Sequence, residues 1–109
     1  DKRFLSEAVW AELMATFFYQ FTFMMLLLDK RAPKETYAIA AGGMMSVGIL
    51  TIGSVSGGCL NPARVFGPAI ITAGLTSDIL VYIGGPVAGA LLAAFMYKSV
   101  FMRQKTVRQ

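Results

Sequence analysis

The sequence predicts an all-α membrane protein with three transmembrane helices and one re-entrant half-helix. Two features of the composition support this fold class: 56% of the 109 residues are hydrophobic, and only 15% are charged. A soluble domain usually carries charge on about a quarter of its residues. The third feature is the placement of the ten Lys and Arg residues, all but one of which lie at the ends of long apolar runs. Basic residues in such positions flank segments that cross a bilayer.

Three apolar runs are long enough to span a membrane. The first covers residues 4–28 and would measure about 37 Å as a helix, against a hydrocarbon core of about 30 Å. The charged segment DKRAPKE separates it from the second run, residues 36–54. The third run covers residues 78–101. Each run is therefore predicted to form one transmembrane helix.

Glycines in the second and third runs are expected to let helices pack closely. The second run is rich in Gly and Ala, and the third contains Gly85 and Gly89 with GxxxG spacing. Small residues allow helix backbones to approach each other within a membrane. Two glycine pairs are interpreted as helix-packing sites: Gly42–Gly43 and Gly84–Gly85.

The segment between the second and third runs, residues 55–73, predicts a re-entrant loop followed by a half-helix. Asn61 is a favoured N-cap, and Pro62 would take the first helical position, where its missing N–H costs nothing. A helix from there towards Gly74, which is suited to a C-cap, spans about 20 Å, or half a bilayer. Irregular backbone is expected just before it, at Ser54, Ser56, Gly57 and Gly58. Membranes tolerate such backbone only where protein or water surrounds it, so a pore or binding site is predicted here.

The basic residues predict an orientation. The loop at residues 30–34 and the tail from Lys98 onwards lie on the same side of the membrane, because two spans separate them. Together they hold seven Lys and Arg residues, whereas the other side holds Lys2 and Arg3. The positive-inside rule therefore predicts that the loop and the C-terminus are cytosolic.

Several functions are excluded by composition. The chain has one cysteine and no histidine, which rules out an internal disulfide, a Cys/His zinc site and a Ser-His-Asp triad. No basic stripe interleaves with aromatic residues, so nucleic-acid binding is not expected. We therefore expect no enzyme activity, no cofactor and no metal site.

Arg64 is the one cation between the basic flanks. An arginine at membrane depth costs about 2.5–3.5 kcal/mol on insertion scales, and such residues face a cavity or a charged partner. A functional role for Arg64 is therefore predicted.

The residues around Arg64 carry a family resemblance. The stretch LNPARVFGPAI, residues 60–70, resembles the second Asn-Pro-Ala (NPA) loop of the aquaporins, or major intrinsic proteins, and an SGG loop precedes it. AELMATF at residues 11–17 resembles the start of the family's fourth span, and GPVAGA at residues 85–90 resembles its sixth. The resemblance implies that residues 1–109 form the C-terminal half of an aquaporin fold. It also implies a passive channel for water and small neutral solutes such as ammonia or hydrogen peroxide.

The resemblance assigns roles to the motif residues. Asn61 would cap the half-helix with its side-chain oxygen and offer its amide to water, with Pro62 and Ala63 completing the motif. Arg64 would point into the outer constriction and donate hydrogen bonds to permeating solutes. Glu12 would accept hydrogen bonds from backbone N–H groups of the loop and hold it in shape.

Two further constriction positions follow by counting back from Asn61. Three residues back is Gly58, and twelve back is Ile49, so the ring beside Arg64 would be wide and weakly polar. This pattern resembles the vacuolar (tonoplast-type) and ammonia-permeable members of the family. Val65 stands where glycerol channels usually carry Asp, and Ile83 stands where many water channels carry Trp. These departures argue against glycerol and against selectivity for water alone.

The resemblance also implies partners. These are an N-terminal half of the same fold with the first NPA loop, a homotetramer, and the lipid bilayer of a plasma or vacuolar-type membrane. An alternative of a different class remains open, in which the chain is an aquaporin-derived structural membrane subunit without an open pore.

Overall fold

The computed structural model describes residues 2–72, 74 and 78–102. Over these residues it contains four α-helices: α1 (Lys2–Leu28), α2 (Tyr37–Ser56), α3 (Pro62–Ile71) and α4 (Ile79–Tyr97). A 3-10 turn at Lys34–Thr36 leads into α2, and a π-helical turn at Lys98–Met102 extends α4. Three segments are long and apolar enough to cross a membrane, namely Lys2–Leu28, Lys34–Ser56 and Ile79–Met102. The predicted all-α fold class is confirmed.

The irregular backbone before the half-helix is shorter than predicted. Ser54 and Ser56 lie inside α2, which ends where Gly57 takes a left-handed conformation (φ 91°). The Gly57 N–H donates to the carbonyl of Gly53 over 3.0 Å, which closes the last turn. The helix therefore ends at Ser56, two residues beyond the predicted end of the span. It ends sharply there because glycine adopts a positive φ without steric cost.

The half-helix also ends earlier than predicted. Its last residue is Ile71, and Thr72 rather than Gly74 stands at the C-cap. Both the N–H and the hydroxyl of Thr72 donate to the carbonyl of Pro68, over 2.9 Å each. Gly74 contributes an N–H to the carbonyl of Ala69 over 3.0 Å. Ala73, the predicted end, lies outside the described residues, as do the tail cations beyond Lys98.

Helices α1 and α4 pack closely because α4 presents glycine to α1. A Cβ atom on Gly85 would lie 2.9 Å from the Cβ of Glu12, and one on Gly89 would overlap the carbonyl oxygen of Leu13. Pro86, between the two glycines, is fully buried. The GxxxG pair therefore lies at a helix crossing where any larger residue would separate the two backbones.

The other glycines predicted to pack contact no second helix among the described residues. A Cβ atom on Gly42, Gly43 or Gly84 would have nothing within 4 Å among the described residues. Within the described part of the chain Gly85 alone of these four glycines contacts another helix, and packing at Gly42–Gly43 stays a prediction. Gly84 differs from Gly85 because of the helical period: adjacent glycines point in directions about 100° apart, so one contact surface rarely uses both.

Aromatic rings join α1 to the end of α4. Phe21 contacts both Tyr97 and Phe101, with ring centroids 6.0 Å and 5.7 Å away, and those two rings stack at 5.3 Å. Edge-to-face and stacked pairs of this kind contribute about 0.5–1.5 kcal/mol beyond their buried area. They hold the π-helical turn against α1, on the same side of the bundle as the connection between α1 and α2.

Candidate functional site

The site is built on a sharp reversal of the backbone between α2 and α3. Three of its five residues have positive φ angles: Gly57 (91°), Gly58 (67°) and Leu60 (60°). For leucine this conformation is strained, with a typical cost of order 1–3 kcal/mol. The surroundings hold it in place, because Leu60 is only 4% exposed and packs in a core with Ala15 and Ile52.

Glu12 binds the loop from the neighbouring helix. Its carboxylate is fully buried and accepts three hydrogen bonds: from the Ser56 hydroxyl (2.7 Å), the Cys59 N–H (2.9 Å) and the Leu60 N–H (2.8 Å). Hydrogen bonds to a carboxylate are about twice as strong as neutral ones, and they offset the desolvation of the charge. Contacts from Glu12 to the loop backbone are of the kind that the family resemblance implies.

Tyr82 supports the same loop from α4. Its hydroxyl donates to the carbonyl of Ser56 over 2.8 Å, at the last residue of α2. The carbonyls at a helix end lack intrahelical partners, so this bond satisfies one of them. Neither the role of Tyr82 nor the hydrogen bond from Ser56 to Glu12 was predicted from the sequence. The sequence does contain a signal for Tyr82, which lies three residues before Gly85 in an otherwise apolar run. A tyrosine hydroxyl in such a run usually has a hydrogen-bond partner.

Asn61 starts the half-helix. Its backbone is extended (φ −151°, ψ 122°), and its side-chain oxygen accepts the Ala63 N–H over 2.9 Å. Pro62 occupies the first turn, where its fixed φ suits a helix and no N–H is needed. The Cys59 thiol donates to the Asn61 carbonyl over 2.8 Å, which ties the loop to the cap.

Arg64 lies in the first turn of α3 and bends back over the loop. Its Nη1 donates to the carbonyl of Cys59 over 3.1 Å, and the residue is exposed. Among the described residues Arg64 makes no ion pair, since the two salt bridges found there are Arg3–Glu7 and Arg31–Asp29. The Cys59 carbonyl is the one hydrogen-bond partner of the guanidinium within the described part of the chain.

Gly58 and Arg64 line the same open cavity, which has a volume of about 400 Å³. Ser56, Cys59, Val65 and Tyr82 also contribute to its wall. Ile49 does not line it but lies directly behind Gly58, since a Cβ atom on Gly58 would be 2.9 Å from the Ile49 Cα. The structure thus brings Gly58 and Arg64 together at one cavity, whereas Ile49 packs behind Gly58 and is not part of the cavity wall.

Two positive groups lie at the cavity, and the negative carboxylate of Glu12 is buried behind the loop. The N-terminus of α3 carries about half a positive charge from its aligned peptide dipoles, and Arg64 adds a full charge in the same turn. Such a site attracts hydrogen-bond acceptors and repels cations. Within the described residues no group of three or more His, Cys, Asp or Glu side chains is placed to hold a metal ion.

The sequence of the chain is similar to known proteins over most of its length. The family model described as Major intrinsic protein matches residues 3–97. The chain is 39% identical over 98 residues to aquaporin NIP1-3 of Oryza sativa subsp. japonica, which covers 90% of the chain and 34% of that protein. It is 41% identical over 97 residues to aquaporin AqpM of Methanothermobacter marburgensis, which covers 84% of the chain and 39% of that protein.

A putative aquaporin of Arabidopsis thaliana, NIP4-1, is 35% identical over 104 residues, or 95% of the chain and 36% of that protein. The chain thus spans about a third of the length of the curated relatives it matches. No solved structure matches it. Since the family model covers most of the chain and the relatives agree with it, the chain belongs to the major intrinsic protein family.

Proposed function

We propose that this chain forms half of a passive transmembrane channel for water and small neutral solutes, including ammonia or hydrogen peroxide. The observation that carries the proposal is the loop held by Glu12, since it turns Gly58 and Arg64 towards one open cavity beside the Asn61 cap. A cavity with exposed hydrogen-bond donors and a positive helix end suits neutral solutes and repels cations. As a member of a family of channels, the chain is not an enzyme.

The second part of the proposal concerns the partner. Helix α3 has ten residues and spans about 15 Å, so it accounts for only half of a path through the bilayer. It has no buried residue, and Ile70 and Ile71 are 65% and 86% exposed. We propose that an N-terminal half of the same fold, carrying the first NPA loop, packs against α3 and completes the pore. The complete channel would assemble as a homotetramer.

The third part concerns selectivity. Gly58 has no side chain and Ile49, which packs behind it, is apolar, so Arg64 is the polar side chain among the three proposed constriction positions. A ring of this kind is wider and less polar than one that contains histidine and arginine together. We therefore propose that ammonia or peroxide passes in addition to water, as in the vacuolar and ammonia-permeable members that the constriction residues resemble.

The orientation is proposed from charge. The connection between α1 and α2 carries Lys30, Arg31 and Lys34, and α4 ends at Lys98. The positive-inside rule supports a cytosolic location for both, with the membrane being the plasma membrane or a vacuolar-type membrane.

Replacement of Arg64 tests the pore role. We expect Arg64→Val in the reconstituted full-length channel to raise urea permeability several-fold, because it removes the charge and widens a ring already opened by Gly58. Water permeability should be retained, and proton exclusion should weaken only in part, since the α3 dipole and Asn61 remain. Stopped-flow light scattering of proteoliposomes measures both solutes, and a pH-sensitive dye measures proton leak.

Arg64→Lys is the matched control. It keeps the charge but loses the planar guanidinium that reaches the Cys59 carbonyl, so proton exclusion should be retained. If Arg64→Val instead breaks the assembly, the structural-subunit alternative gains support, because the arginine then pairs with a partner chain. An assembled Arg64→Val channel with unchanged urea permeability would contradict the pore role.

A further inference from the structure

Leu60 holds a strained backbone conformation next to the residue that Arg64 contacts. Its φ of 60° lies in the left-handed region, which is uncommon for a residue with a Cβ atom and strained for leucine. Glycine adopts this region without strain, as Gly57 and Gly58 do in the same loop. What leucine adds at this position is its side chain.

The side chain of Leu60 fills a socket formed by Ala15 of α1 and by Gly48 and Ile52 of α2. Leu60 is buried and packs in one core with Ala15 and Ile52. Gly48 forms the floor, because a Cβ atom there would lie 2.8 Å from Cδ1 of Leu60. Gly48 and Ile52 are four residues apart and therefore face the same way on α2. The contact with Leu60 thus depends on a glycine at the floor of the socket.

The peptide between Cys59 and Leu60 joins this socket to Arg64. Its N–H donates to Oε2 of Glu12 over 2.8 Å, and its carbonyl accepts from Nη1 of Arg64 over 3.1 Å. The peptide is trans and planar, so its N–H and C=O point in opposite directions from one rigid unit. The φ angle of Leu60 is the rotation between this unit and the Leu60 side chain. Packing of the side chain in the socket, together with a φ of 60°, therefore sets the direction of the carbonyl.

We propose that Leu60, packed against Gly48, is a positioning residue for Arg64. The contact fixes the carbonyl that holds the guanidinium at the cavity shared with Gly58, and through Arg64 it affects which solutes pass. Without the contact Leu60 would return to a negative φ, which turns the peptide and takes the carbonyl away from Arg64. The effect on solutes rests on the proposed channel function, whereas the effect on Arg64 does not.

Solid-state NMR on the full-length protein in a bilayer tests the effect on Arg64. With ¹³C at the cysteine carbonyl and ¹⁵N in the arginine guanidinium, dipolar dephasing reports the contact of Cys59 with Arg64. The share of the dephasing that disappears in Arg64→Lys belongs to this contact. Leu60→Ala should abolish most of that share, whereas Leu60→Met, which nearly conserves the volume, should retain it.

Gly48→Ala provides a second variant if Leu60→Ala does not fold. Its methyl group displaces only the flexible end of the Leu60 side chain, so the helices keep their places while Leu60 moves. The dephasing by Arg64 should weaken in this variant as well. Gly53→Ala is the matched control on the same helix, because its Cβ would have no described atom within 4 Å.

Stopped-flow permeability of proteoliposomes tests the effect on solutes. Leu60→Ala should raise the ratio of urea to water permeability by about two- to tenfold, the shift in an equilibrium expected from one lost hydrogen bond. Gly48→Ala combined with Leu60→Ala should raise it no further, because both changes act on the same contact. Gly53→Ala should leave the ratio at its wild-type value.

Dephasing by Arg64 that survives Leu60→Ala would overturn the proposal. So would an additive increase of the ratio in the double variant, an equal increase in Gly53→Ala, or an unchanged ratio in a conducting Leu60→Ala channel that has lost the contact. If Leu60→Ala loses the contact while the wild-type protein passes no water, the positioning of Arg64 by Leu60 is supported and the channel proposal fails.

Discussion

The pair α1–α4 and the half-helix α3 differ in how much of their surface is buried within the described part of the chain. Along the pair, Glu12 and Ala93 are fully buried, and Gly89 brings the two backbones into contact. Helix α3 is also largely apolar, and it has no buried residue. Apolar composition therefore does not distinguish a packed helix from an unpacked one in a membrane, since lipid solvates both.

What distinguishes them is the placement of small residues. Gly85 and Gly89 lie where α1 approaches, whereas Gly67 in α3 has open space on the side where a Cβ would stand. The two regions are joined through the loop, which Glu12 on α1 holds and from which α3 begins. Within the described residues α1 and α4 hold each other in place, while the position of α3 depends on Glu12 and, as proposed above, on a partner.

Removing Glu12 should have the largest effect, because it breaks the link between the two regions. We expect Glu12→Ala to reduce the free energy of unfolding by about 2–6 kcal/mol, since the buried N–H groups of Cys59 and Leu60 each lose a partner at about 1–3 kcal/mol. The Ser56 hydroxyl can turn to the carbonyl of Ile52, 3.4 Å away. Unfolding in detergent measures the loss, and amide hydrogen exchange at Cys59 and Leu60 locates it.

Glu7→Ala is the matched control for that experiment. Glu7 lies on the same helix and makes only an exposed ion pair with Arg3, at 3.3 Å. Exposed pairs contribute about 0–1 kcal/mol, so this variant should unfold almost like the wild type. Equal losses in the two variants would mean that the carboxylate of Glu12 does not hold the loop.

A methyl group at Gly89 should have the next largest effect. Gly89→Ala places a Cβ against the backbone of Leu13 and should destabilise the protein by about 1–3 kcal/mol as the helices move apart. In the isolated chain Gly67→Ala should instead stabilise the protein by up to about 1 kcal/mol. Alanine has a higher helix propensity than glycine, and its Cβ would have no described atom within 4 Å. Thermal unfolding of both variants in one detergent measures the difference. Similar effects at the two glycines would remove the distinction between the regions.

Thr16 should show the smallest effect. Its hydroxyl is buried within the packed region, 3% exposed, and has no hydrogen-bond partner among the described residues. Thr16→Val should change the free energy of unfolding by less than about 1 kcal/mol, in the stabilising direction, because it removes an unsatisfied polar group. Thr22→Val is the control, since the Thr22 hydroxyl donates to the Phe18 carbonyl over 2.9 Å and gains nothing from removal. Clear destabilisation by Thr16→Val would reveal a partner for that hydroxyl.

The start of α3 and the three spans were predictable from the residues because their causes are local. Asn61 and Pro62 are suited to the first turn of a helix in any surroundings, and twenty apolar residues in a row need a bilayer wherever they occur. The contact of Glu12 with the loop was not predictable from local chemistry, because it joins residues 47 and 48 positions apart. Only the family resemblance suggested it.

Other features had no signal in the sequence at all. Leu60 takes a positive φ that nothing in its side chain favours, and it does so because Ile52 and Ala15 enclose it. Gly42–Gly43 and Gly84–Gly85 look alike in sequence, yet among the described residues only Gly85 contacts another helix. Which glycine meets another helix depends on the rotation of each helix about its axis, which the sequence pattern does not specify.

The sequence by itself determined that this chain enters a membrane, where its helices begin, and that an arginine and a capped half-helix lie between two spans. These properties follow from hydropathy, chain length and the hydrogen-bonding of single residues. The tertiary structure decided which side chains meet: Glu12 with the loop, Tyr82 with the end of α2, Gly58 with Ile49, and Arg64 with the Cys59 carbonyl. Such contacts depend on helix rotation and separation, which many residues set together through packing, and no short stretch of sequence contains that information.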